Sequence, residues 1–185
     1  MPGIVISMLP WLMFPPLLDW TDQNVFKAAL VALVVSLCLS GRRLLQGYAA
    51  DWTVVGSMAL IATLSLSSAQ DVVRAHWPLI MPFGLTCMCW TSIALRRPFT
   101  IPYAKAETPS DHWDSPIFLQ INMWISAIWG TCFGLALVAS LLAAAFHPLW
   151  PIFLIAKYLL ILSAMVLSRL FPDFYIARLE AKADA

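Results

Sequence analysis

Lys157 stands inside an apolar run, about two helical turns past Trp150. A lysine placed well inside a membrane span costs about 3 kcal/mol on insertion scales. It must therefore face the bundle, a water-filled cavity or a carboxylate, or else snorkel to the interface. Asn122 opens another apolar run, just after Gln120. An amide at that depth bonds a neighbouring helix, worth roughly 1 kcal/mol. Lys157, Asn122 and Thr131 together form a candidate intramembrane polar site, suited to a substrate, an ion or a lipid headgroup. The structural alternatives are a snorkelling lysine and a helix-to-helix amide bond.

Other chemistries find no support in the residue pattern. His76, His112 and His147 are scattered, and no Glu or Asp pair joins them into a metal site. No serine sits in a GxSxG elbow, and no phosphate loop or dinucleotide fingerprint occurs. Cys38, Cys87, Cys89 and Cys132 all lie in apolar runs. Cys87 and Cys89 are two apart, so a helix points them to nearly opposite sides. They read as small apolar side chains. The expectation is a protein with no catalytic residue, no metal and no cofactor.

The elements that carry these residues follow from composition. Of 185 residues 61% are apolar and 11% charged, and the mean hydropathy is +0.81. A soluble domain has about a quarter charged residues, and so few could not build a water-facing surface. The net charge of +1 and the lack of a basic patch interleaved with aromatics exclude nucleic acid as a partner. The partner implied by composition is the lipid bilayer.

Six apolar segments are expected, at about 4–18, 24–40, 52–68, 72–95, 116–146 and 149–171, in one all-α membrane domain. The first is short, and Pro15-Pro16 should end it. It either spans or dips in as a re-entrant piece. Met1 to Leu18 lacks a basic n-region and a small-residue cleavage site, so it reads as part of the mature protein. Asp22 and Asp51 are placed to cap the second and third segments. Pro78 and Pro82 should kink the fourth. A loop at 96–115 should hold a short surface helix from Thr108, and Ser115-Pro116 has the form of a helix start. Pro172 should stop the sixth segment, leaving an amphipathic tail at 173–185.

Charge orients this arrangement. Arg42, Arg43, Arg96, Arg97, Lys105, Arg169, Arg178 and Lys182 all fall on one side. The positive-inside rule makes that side cytoplasmic and puts both termini there if segment one spans. Arg42, Arg43, Arg96 and Arg97 either set topology or meet anionic headgroups. Ser126, Gly130 and Gly134 form a small-residue stripe at four-residue spacing, as do Ala28, Ala32, Ser36 and Ser40, and Ala59, Thr63 and Ser67. Such stripes let helices approach closely, within the chain or in a homodimer through Gly130 and Gly134.

Several features occur together in one family. They are the Leu9-Pro10 pair in the first short segment, the basic pair after segment two, and Arg96-Arg97-Pro98 before a polar loop ending in Trp113. Asn122 opens the next helix, Lys157 stands near the start of the last, and Pro172 near its end. In these, most of the chain resembles the bacterial YciB or intracellular septation protein A family of small inner-membrane proteins. A sister family of small membrane proteins fits the same motifs. The stretch Arg97-Pro-Phe-Thr-Ile-Pro-Tyr-Ala-Lys105 departs from the septation-family pattern. The resemblance implies a bacterial inner-membrane location. It also implies a non-enzymatic role in envelope synthesis or septation, through contacts with other envelope or division membrane proteins. The rival reading is a small transporter or lipid-handling protein with a polar centre at Lys157 and Asn122, its proline-interrupted segments resembling broken transporter helices.

Overall fold

The computed structural model describes residues 2–183, and every regular element among them is helical. In order they are α1 (Pro2–Leu12), α2 (Phe14–Trp20), α3 (Val25–Leu45), α4 (Ala49–Ser65), α5 (Gln70–Ala94), α6 (Ile101–Lys105), α7 (Pro116–Ala145) and α8 (Trp150–Ala183). Four of these, α3, α5, α7 and α8, are long and apolar enough to cross a membrane. α4 is apolar but has 17 residues. Large apolar side chains such as Val34, Phe83, Leu135 and Ile155 are exposed on these helices. A water-soluble bundle would turn a polar face outward there.

The helices form two compact units, Pro2–Met88 and Cys89–Ala185, and the boundary falls inside α5 with no linker. In the first unit the expected segment at 4–18 is two short helices. Pro15 and Pro16 do not end a helix but begin one, sitting in the first turn of α2 after a break at Met13. A proline is tolerated there because the first-turn N–H groups have no helical acceptor. Asp22 and Gln23 take φ of +52° and +61° to turn the chain out of α2. That turn passes the capping role from Asp22 to Asn24, whose side chain accepts the Lys27 N–H at 3.0 Å.

α3 runs on through Gly41, Arg42 and Arg43, then turns back at Gly47, where φ is +78°. The Tyr48 N–H reaches the Arg43 carbonyl at 3.1 Å, closing the helix as a Schellman-type end. The stripe Ala28, Ala32, Ser36 and Ser40 is buried, as a close helix contact requires. On α4 the buried line is Val54, Met58, Ile61 and Ser65, while Thr63 and Ser67 are exposed. α4 is apolar nearly all round, so residue size alone did not mark its inner face. Larger side chains fill the space that the small α3 residues leave.

In the second unit α7 and α8 pack as an antiparallel hairpin joined at 146–149. Ser115 caps α7 as expected, its hydroxyl accepting the Phe118 N–H at 3.1 Å with Pro116 next in the chain. The expected surface helix in the loop is instead α6 and a single 3-10 turn at Ser110–His112. α8 does not stop at Pro172 but continues to Ala183. One proline removes one backbone bond, and the good helix formers that follow hold the ladder. The expected tail is therefore helical as far as it is described, and residues 184–185 lie outside the described residues.

Candidate functional site

The loop after α5 is shaped to push one hydroxyl onto α7. Arg96 takes a left-handed φ of +54°. The Arg97 N–H returns to the Ser92 carbonyl at 2.9 Å, and the Phe99 N–H bonds the Ser92 hydroxyl at 3.2 Å. The turn leaves Arg96 and Arg97 exposed, while Pro98, Phe99 and Thr100 are buried. Thr100 then donates its hydroxyl to the Asn122 carbonyl at 3.1 Å and lies 3.1 Å from the Ser126 hydroxyl. Since its own proton is engaged, Ser126 is the donor to Thr100.

Asn122 is buried, and its amide nitrogen donates to the Phe118 carbonyl at 2.9 Å. That acceptor fixes which way the amide lies. Asn122 Oδ1 is left buried without a hydrogen-bond partner. An orphaned buried acceptor costs about 1–3 kcal/mol.

Asn122 lines a cavity of about 770 Å³ bounded by residues 104–115, the start of α7 and the C-terminal half of α8. Its apolar wall is Ile117, Phe118, Ile121, Ile125 and Ile176. Its polar lining includes Glu107, His112, Ser168, Arg169 and Asp173 beside Asn122. Pro172 also faces it and has no N–H to give the Ser168 carbonyl four residues back. The volume lies in the range of small-ligand sites. The loop beside it is braced by Lys105 over the Trp113 ring at 4.7 Å and by the Trp113 indole N–H on the Thr108 carbonyl at 3.0 Å.

The expected polar centre is not assembled as one site. Lys157 is buried on α8, but in a hairpin that turns at 146–149 it stands abreast of about Val138. Asn122 is then some sixteen residues, about 24 Å, farther along α7. Thr131 is exposed on the outer side of α7. Ser126 and Gly130 both face inward, and an added Cβ at Gly130 would meet Cys89 Cβ at 3.1 Å and Trp90 Nε1 at 3.2 Å. Gly130 thus seats a neighbouring helix of the same chain, and Gly134 is half-buried.

Arg42 is exposed, but Arg43 is not free for headgroups. Arg43 donates to the Gly3 carbonyl at 2.8 Å and lies 3.3 Å from the Asp51 carboxylate. Asp51 is fully buried and also takes the Ser40 hydroxyl. It does not cap α4, whose cap position is Tyr48, because its carboxylate is engaged by α3. Sequence reasoning missed this cluster, and it missed Thr100, Ser168, Arg169 and Asp173. Arg169 and Asp173 stand at i and i+4, which would have placed both on one helix face. The expected end of the helix at Pro172 concealed that spacing.

Among the described residues no group of three or more His, Cys, Asp or Glu side chains converges as a metal site would need. The chain matches no family model, no curated protein and no solved structure.

Proposed function

We propose that this chain is an integral membrane protein that binds a membrane lipid in the cavity beside Asn122 and acts without catalysing a reaction. The observation that carries the proposal is the character of that cavity. A wall of isoleucines and Phe118 meets charged and polar side chains at the end of two apolar helices. An amphiphile with one apolar and one polar end matches that division, and a fully polar solute does not.

The setting follows from charge. Arg42, Arg96, Arg97, Lys105, Arg169 and Arg178 favour the cytoplasmic side for the cavity end and for the C-terminus. Of the residues that carry the resemblance to septation-family proteins, Asn122 and Pro172 line this cavity, and Trp113 braces the loop beside it. That supports placing its lipid binding in envelope synthesis or septation at a bacterial inner membrane, through contacts with partner membrane proteins.

The test is retention of phospholipid by the full chain in mild detergent, read by native mass spectrometry. Wild type should keep one bound phospholipid. Ile117→Trp, which fills the cavity from an exposed position, should lose it. Lys157→Met, about 24 Å away, should keep it. Equal retention by the filled variant, or none by wild type, would overturn the proposal.

A further inference from the structure

Two of the cavity's charges, Arg169 and Asp173, are ordered along α8, and their order specifies a headgroup. Arg169 lies one helical turn, about 6 Å, nearer the turn at 146–149 than Asp173. It is therefore deeper along the span, and Asp173 is nearer the chain end. Both line the cavity and both are exposed. A phospholipid carries its phosphate next to the acyl chains and any ammonium farther out. A guanidinium binds phosphate through paired N–H donors, and a carboxylate is an acceptor-only partner for an ammonium. The protein's charges thus run in the same inner-to-outer order as the complementary charges of a zwitterionic headgroup.

Hydrogen bonding narrows the choice. Asn122 stands across the cavity from the Asp173 turn, with Oδ1 buried and lacking a donor. The Ser168 carbonyl has lost its helical N–H to Pro172. A primary ammonium brings three N–H donors to such acceptors. A quaternary ammonium brings none and is recognised by an aromatic cage. Among the described residues, Phe118 and His112 are the aromatic rings lining the cavity. An anionic phospholipid without an amine, such as phosphatidylglycerol, has no cation for Asp173.

We infer that the cavity selects a phospholipid with a primary ammonium, of the phosphoethanolamine class, with its phosphate on Arg169 and its ammonium between Asp173 and Asn122 Oδ1. This rests on the lipid-binding proposal above. The experiment is competition among phosphatidylethanolamine, phosphatidylglycerol and phosphatidylcholine of matched chains for the full protein, read by native mass spectrometry. Wild type should prefer phosphatidylethanolamine by roughly tenfold over either rival, the worth of one charge-assisted hydrogen bond. Asp173→Asn should bring phosphatidylethanolamine and phosphatidylglycerol to near parity. Arg169→Gln should weaken all three alike. Unchanged thermal unfolding of both variants would tie these effects to the site. Equal binding of the three lipids by wild type, or a preference that survives Asp173→Asn, would overturn the headgroup assignment and leave lipid binding standing. Retention of no phospholipid at all would overturn both.

Discussion

Asp51 is fully buried, where it takes the Ser40 hydroxyl and lies 3.3 Å from the Arg43 guanidinium. Removing one partner of a buried pair strands the other charge, whereas replacing both by apolar groups is often neutral. Arg43→Leu should therefore lower unfolding stability in micelles by about 3 kcal/mol. Adding Asp51→Leu to that variant should recover most of the loss. Asp51 and Arg43 were both visible in the sequence, eight positions apart across a presumed loop. Their pairing was not, because it depends on α3 running about one turn past Gly41 to Leu45, which a helix former such as Arg42 permits and a reading of Gly41 as a stop hides. Asn122 was legible as an amide inside an apolar run. Its partner Thr100 was not, since nothing local shows that the turn at Arg96 folds the next residues against α7.

At the scale of elements, apolar runs separated by polar breaks located α3, α4, α5, α7 and α8. The ends were less legible, because proline acts differently by position. Pro15 and Pro16 open a helix where they were expected to close one. Pro172 is passed through, so that α8 presents Arg169 and Asp173 to one cavity. Pro172→Ala would return an N–H to the Ser168 carbonyl and remove an acceptor from the site. The variant should resist unfolding better than wild type and retain severalfold less phosphatidylethanolamine, measured on the same preparation. More lipid bound, or a loss of stability, would count against the role given to Pro172. Helix packing shows the same limit of sequence. The α3 stripe could be read from spacing, but on α4, apolar nearly all round, the buried face was set by which side chains fit α3.

For the whole molecule, few charges and long apolar runs led to the expectation of an all-helical membrane chain, and the described residues are helical with four helices long and apolar enough to cross a membrane. Sidedness is the testable corollary. If α3 to α5, α7 and α8 all cross, a cysteine at Ser110 and one at Arg178 should label from the cytoplasmic side of intact membranes. One at Ser67 should label only from the other side. Labelling of Ser67→Cys and Ser110→Cys from the same side would contradict that topology. The account's central claim, a lipid held in the cavity beside Asn122, is tested most directly by photo-crosslinking. A photoreactive amino acid is placed at Ile176, which lines the cavity, or at Leu135 on the exposed face of α7. After exchange into lipid-free detergent and illumination, position 176 should yield a phospholipid adduct and position 135 should not. Adducts of equal yield at both positions, or at neither, would contradict the claim.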